Sequence, residues 1–235
     1  MKVTALLTGR GNNTLKDKNI LDLFGKPVLH YPAKAGRLSQ VVNEWYCSSD
    51  DEKILLAAEK EGYQRIVRPD ELARPDSQHI ECILHALDIM ENKPDILIVI
   101  LANNVTVKTE WITDCVNMMK NDMKISAVVP VYEENDLHPL RAKTLNADGS
   151  LSPYVSTGGK ISTNRQELPT CYFLSHNFWV LNVKSLLSDV EGQAPWTFMG
   201  NNIHPYVVDE SIDIHEEWDL IKAKLWLEEN GLAKD

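Results

Sequence analysis

Six consecutive aliphatic residues, Ile96-Leu97-Ile98-Val99-Ile100-Leu101, constrain this chain more than any other stretch. The run is far short of the roughly 20 apolar residues that cross a bilayer. It also lacks the alternation with polar residues that a strand with one wet face shows. Such a strand is covered on both faces, as in a parallel sheet between two helix layers. Residues 3–7 and 127–131 read the same way, and 41–47 and 64–67 read as shorter strands. Between them, 28–38, 52–62, 78–90 and 111–119 read as helices. Ser48-Ser49-Asp50-Asp51-Glu52 suits a helix start, because its side chains cap free N–H groups and its acids favour the dipole. The rhythm predicts an α/β fold built on an open, mostly parallel sheet with right-handed crossovers.

The 235 residues suit one domain. Residues 132–170 break the rhythm with polar and turn-forming residues, among them Asp148-Gly149 and Gly158-Gly159. They read as an excursion from the sheet, which a compact domain keeps when it is functional or packed on something. The chain returns to the core at 172–181, and residues 207–214 lead into a final amphipathic helix over 216–229. The net charge of -10 argues against non-specific nucleic-acid binding and requires that any anionic substrate meet a local cluster of Lys and Arg. Cys47, Cys82, Cys115 and Cys171 are too scattered for a zinc site or a disulfide framework. The N-terminus lacks a signal-peptide layout, so the expected location is cytoplasmic.

In open α/β sheets ligands sit beyond the carboxyl ends of the strands. The loops 8–19, 48–52, 68–77 and 102–108 all leave that edge and should line one crevice. The first carries Gly9, Arg10, Gly11, Lys16 and Lys18. Glycines there let backbone N–H groups approach a phosphate that the cations neutralise, although a polar turn after a first strand has the same composition.

The order of these pieces resembles the sugar-nucleotide cytidylyltransferases, above all the CMP-acylneuraminate synthetases and their nonulosonate relatives. The resemblance rests on Lys18-Asn19-Ile20, Gly25-Lys26-Pro27, Ser49-Asp50-Asp51-Glu52, Arg68-Pro69-Asp70-Glu71-Leu72-Ala73, His85-Ala86-Leu87, His138-Pro139, Arg165-Gln166 with Leu168-Pro169 and Tyr172, and Ser211-Ile212-Asp213-Ile214 before Asp219-Leu220. It covers nearly the whole chain. This chain departs from the pattern in four places. Arg10 stands one position later than the family arginine, with Gly9 in its place. Asn12-Asn13-Thr14 replaces the usual Ser-Lys stretch. The base-reading glutamine that the family carries after Leu101 is absent, with Ala102 in its place and Asn103 and Asn104 next to it as substitute amides. His215 stands for the second aspartate of the metal motif.

The resemblance implies a Rossmann-like nucleotidyltransferase sheet and the reaction of CTP with a nine-carbon 2-keto sugar acid to give CMP-sugar and pyrophosphate. Arg10, Lys18 and Asp213 would be catalytic. Leu7, Thr8, Gly9, Gly11, Asn12, Asn13, Lys16, Arg68, Ser77 and His79 would contact the nucleotide, and Asn103 or Asn104 would supply an amide to the base. Arg165 and Gln166 would hold the sugar carboxylate, with Tyr172 beside them. Asp213 would anchor Mg²⁺, with Asp209 as a second carboxylate. The excursion would make a homodimer contact and a sugar lobe. The nearest alternative is the same chemistry on another acidic acceptor, 3-deoxy-manno-octulosonate or a phosphonate, and the next is a homologue that binds without turnover. Simpler roles compete at several positions: Asp213 as a helix cap, Arg68 paired with Asp70 or Glu71, Asn12-Asn13 as a turn, and Tyr172 as a core strand residue.

Overall fold

The computed structural model describes residues 1–11 and 13–233. Its strands are β1 (Val3–Thr8), β2 (Asp22–Leu23), β3 (Lys26–Pro27), β4 (Glu44–Ser49), β5 (Gln64–Val67), β6 (Ile96–Leu101), β7 (Ala127–Glu133), β8 (Lys143–Leu145), β9 (Leu151–Pro153), β10 (Tyr172–Leu174), β11 (Phe178–Asn182) and β12 (Ile203–Val207). The helices are α1 (His30–Leu38), α2 (Glu52–Lys60), α3 (His79–Ile89), α4 (Thr109–Asn121), the single turn α5 (Val183–Leu186) and α6 (Glu217–Glu229). The main sheet runs β10-β7-β11-β6-β1-β4-β5, and β12 also pairs with β7. Strands β5, β4, β1 and β6 are parallel to one another, as are β7 and β12, while β11 lies antiparallel between β6 and β7.

Strand β6 is central, with Ile96 to Ile100 fully buried. Its side chains alternate between two cores. Ile96, Ile98 and Ile100 join Val3, Ala5 and Leu7 under α1, α2, α4 and α6, while Leu97 and Val99 join Leu6 under α3. Helix α2 starts where the Ser48–Glu52 cluster places it, with the Lys53 N–H donating to Asp51 Oδ1 at 2.7 Å.

Helix α1 begins at His30 rather than at 28, because the N–H groups of Val28 and Leu29 donate to the Leu21 and Asn19 carbonyls of the first loop. Strand β12 was not among the expected strands. It contains Pro205 and lies at an edge, where a proline removes no needed donor. Between β7 and β10 the chain folds into the β8–β9 hairpin, which exposes Leu145, Leu151 and Tyr154.

Gly36 lets α1 sit directly on the sheet. A Cβ there would lie 2.6 Å from Tyr63 Oη and 2.7 Å from Ile100 Cδ1. Tyr63 cannot swing aside freely, since it is buried and its hydroxyl donates to the Ala33 carbonyl. Gly36→Val therefore lowers unfolding free energy by about 2 kcal/mol or more, the scale of overpacking a close-packed core. Urea denaturation measures this, and a neutral result contradicts the packing described.

Candidate functional site

Beyond the carboxyl ends of β1, β5 and β6 lies a cavity of about 260 Å³. The first loop brings Gly9, Arg10, Asn13, Lys18 and Asn19 to it, and Thr8 closes β1 beneath them. The segment after β5 adds Arg68 and Arg74, and the start of α3 adds Ser77, Gln78 and His79. Asn103 follows β6, and Asp213 and His215 precede α6. Four cations thus face one cavity, with Asp213 the only carboxylate among the described lining residues. In a chain of net charge -10 this is a local anion site.

Arg10 is aimed by its neighbours. Its Nη1 donates to the Arg74 carbonyl at 2.8 Å, and its own carbonyl accepts from the Asn13 and Asn19 amides. Lys18 sits in a short 3₁₀ turn, and burial lowers its pKa against an opposing pull from the Asp213 carboxylate. Arg68 is buried and donates to the Ser48 hydroxyl and carbonyl, at 3.2 and 2.7 Å, rather than to Asp70 or Glu71. Arg74 had no assigned role in the sequence, which offers only an arginine before a proline.

Asp213 is not a helix cap. The start of α6 is closed by Glu216 and Asp219, whose carboxylate accepts from the N–H groups of His215 and Glu216. The Asp213 oxygens instead accept from the Asn103 amide on Oδ1 and lie 2.9 Å from His215 Nε2 on Oδ2. Burial raises the Asp213 pKa, and the positive fields of His215, Lys18 and His176 partly offset that rise.

Other expected positions lie off the cavity or have their polar groups already engaged. Leu7 is fully buried core beneath the cavity. The N–H groups of Gly9 and Gly11 already donate to the Ser48 carbonyl and to Asp50 Oδ1, so side chains, not the glycine backbone, carry the loop's donors. Lys16 is exposed off the cavity, and Asn12 lies outside the described residues. Asn104 is fully buried, its Oδ1 accepting from Thr106 and its Nδ2 donating to Ser211. It braces the loop and cannot read a base. Asp209 does not join Asp213, because it pairs with Lys108 at 3.3 Å beside Trp111. Arg165 and Gln166 line a separate depression with Glu133, Glu134 and Asp136, and Arg165 is ion-paired to Asp136. Tyr172 is an exposed residue of β10, opposite Glu133.

His79 packs its ring 5.2 Å from Trp179 and approaches Thr8 Oγ1 at 3.1 Å. Burial first, then the charges of Arg68 and His176, hold its pKa down to about 4. An unfolded histidine titrates near 6.5. Between those values the unfolded chain takes up a proton that the folded chain refuses. The stability is therefore complete above about pH 6.5 and falls as pH drops, by about 3 kcal/mol at pH 4. Carboxylates titrate over the same range, so the readout is the difference between wild type and His79→Gln in urea unfolding. The wild type should lose about 3 kcal/mol more on acidification, and a pH-independent difference contradicts the assignment.

The sequence profile of the cytidylyltransferase family matches residues 10–176. The N-acylneuraminate cytidylyltransferase of Escherichia coli is 35% identical over 89 residues, which cover 37% of this chain and 21% of that protein. The pseudaminic acid cytidylyltransferase of Campylobacter jejuni is 30% identical over 98 residues, covering 41% of this chain and 42% of that one. The chain thus spans about a fifth of the first relative's length and two fifths of the second's. Among solved structures, a CMP:2-keto-3-deoxy-manno-octonic acid synthetase complexed with CTP superposes with a TM-score of 0.72 at 15% identity, covering 98% of this chain and 100% of that one. A 4-diphosphocytidyl-2C-methyl-D-erythritol synthase from Anaerococcus prevotii gives 0.66 at 13% identity, covering 97% and 96%. These two share the α/β fold. No helix among the described residues is long and apolar enough to cross a membrane.

Proposed function

The chain belongs to the cytidylyltransferase family, and we propose that it transfers the cytidylyl group of CTP to an acidic 2-keto sugar of the nonulosonic class, releasing pyrophosphate. The observation that carries this reading is the cavity itself, four cations around one half-buried carboxylate at the carboxyl edge of the sheet. In this reaction a sugar hydroxyl oxygen bonds to the α-phosphorus of CTP as the bond from that phosphorus to the pyrophosphate oxygen breaks. Negative charge grows on the leaving group, and fixed donors aimed there lower the barrier. Arg10 and Lys18 stabilise the phosphates, Arg74 extends the same field, and Arg68 closes the buried wall. His79 stays neutral at pH 7 and holds Thr8. Asn103 donates its Nδ2 to Asp213 and to the Ile214 carbonyl, and its Oδ1 is the remaining candidate to accept a hydrogen bond from the base or ribose.

A divalent cation of the Mg²⁺ kind fits this donor set. Mg²⁺ characteristically takes one or two carboxylates and completes its shell with water and substrate phosphates, and Asp213 offers one carboxylate beside an open cavity. When bound, such a cation neutralises phosphate charge and acidifies the attacking hydroxyl. Asp213 would hold it.

The exposed Leu145, Leu151 and Tyr154 of the β8–β9 hairpin support a homodimer through the excursion, with residues 132–170 serving as a lobe of a single domain spanning the chain. Such an enzyme would work in the cytoplasm, where CTP is available. Pyrophosphate release tests the function, with CTP, UTP, GTP or ATP offered against N-acetylneuraminic acid, pseudaminic acid and 3-deoxy-manno-octulosonate. Release with CTP and at least one nine-carbon acid is expected. Release confined to the eight-carbon acid moves the acceptor, and none with any pair overturns the reading.

A further inference from the structure

Residues 212–215 alternate strictly about the cavity wall. Ile212 and Ile214 are buried, at 7% and 0% exposure, while Asp213 and His215 both face the cavity. Period-two alternation in an extended segment puts side chains at i and i+2 on one face. The segment is fixed at both ends. The Ile214 N–H donates to the Asn103 carbonyl at 3.0 Å, Asn104 pairs with Asp213 as an isolated bridge, and the His215 N–H donates to Asp219 at 3.0 Å. Asp213 Oδ2 and His215 Nε2 are therefore a preset pair of donor atoms 2.9 Å apart, with the Asn103 amide holding the carboxylate from its other oxygen.

Two neighbouring ligand atoms on an octahedral dication with bonds of about 2.1 Å lie about 3.0 Å apart. The observed separation fits a single ion held by both groups in place of the hydrogen bond between them. The donors differ in kind. A carboxylate suits Mg²⁺ and Mn²⁺ alike, but an imidazole nitrogen favours transition dications over Mg²⁺. The His215 side chain is 68% exposed, which leaves the remaining coordination positions open to water and phosphate.

We infer that Asp213 and His215 together form a mixed oxygen–nitrogen anchor that binds Mn²⁺ in preference to Mg²⁺, with His215 coordinating the ion directly. This deepens the proposed function and rests on it for the identity of the cavity, but it concerns a binding equilibrium that exists without turnover.

The test is electron paramagnetic resonance of MnCl₂ titrated into the full chain without nucleotide, with Mg²⁺ as competitor, on wild type, His215→Asp and His215→Ala. The wild type should quench the free-ion signal, prefer Mn²⁺ over Mg²⁺ by about tenfold or more, and show imidazole-nitrogen modulation in pulsed spectra. His215→Asp should remove the modulation and shrink the preference to within about threefold. His215→Ala should remove the modulation and weaken Mn²⁺ by about tenfold or more. No binding of millimolar Mn²⁺ by wild type, no nitrogen modulation in wild type, modulation that persists in His215→Ala, or a Mg²⁺ preference overturns the inference. Failure of the cytidylyl-transfer reading has a different signature, absent pyrophosphate release with either metal while the nitrogen modulation persists.

Discussion

Replacing Asp213 by alanine lowers kcat about a hundredfold to a thousandfold while the fold survives. That is the scale of losing one preorganised electrostatic element of a transition state, about 3–4 kcal/mol. The carboxylate is the only one among the described residues lining the cavity, and it stands among Lys18, His176 and His215. No other described lining residue can take over its charge. The fold does not need it. Burial raises its pKa, so the ionised group costs stability at neutral pH, and the segment is held by Ile212 and Ile214 rather than by the charge. Asp213→Asn keeps the size of the side chain and should match or slightly exceed wild type in melting temperature. Initial rates of pyrophosphate release and thermal unfolding check both halves. A near-normal kcat in Asp213→Ala rules out the catalytic assignment, and a collapsed melting temperature shifts Asp213 to a structural role.

Lys18→Met produces a comparable loss in kcat, about a hundredfold or more, together with a raised KM for CTP. Lys18 and Asp213 line the same cavity, and the positive field of Lys18 acts on that carboxylate. Burial makes the charged ammonium costly, and the Asp213 carboxylate opposes that cost. Methionine preserves the stem and removes only the charge. Lys16, two residues earlier and exposed off the cavity, is the internal control. Lys16→Met should stay within about twofold of wild type in kcat/KM, since an exposed loop charge is well screened. Equal effects from the two substitutions would mean that the loop acts only as a diffuse positive patch.

The fold was legible where pattern follows burial directly. The run at 96–101 has no polar interruption because both its faces are covered, and its odd and even residues divide between two cores as the pleat requires. The Ser48–Glu52 cluster marked a true helix start because capping is a local interaction. Strand β12 was not legible. Its residues are mostly half-exposed, it contains a proline, and it is a strand only because β7 lies beside it.

At the site, Arg10, Lys18, Arg68, Ser77, His79, Asn103 and Asp213 share one cavity because the sheet edge gathers loops that sequence separates. The direction a side chain takes is a tertiary property, and there the sequence misleads. Asn103 and Asn104 are adjacent and chemically identical, yet one faces the cavity and the other is sealed inside its own loop. Gly11 suits a phosphate cradle by composition, but its N–H is taken by Asp50, and a Cβ would lie 2.6 Å from Asp51 Oδ2. Its glycine is needed for close approach to the acidic loop. Asp209 is four residues from Asp213 and on a different surface, where Lys108 neutralises it. His176 gives no motif signal at all, and it acts on Asp213 from the connection between β10 and β11.

Phosphorus NMR of CTP mixed with a nonulosonic acid, Mg²⁺ or Mn²⁺, and the protein tests the central claim most directly. Cytidylyl transfer predicts that the three triphosphate resonances disappear together, replaced by one phosphodiester resonance and free pyrophosphate. An unchanged CTP spectrum with every acidic sugar, in a protein that nonetheless binds CTP, would contradict it and leave a nucleotide-binding protein without transferase activity.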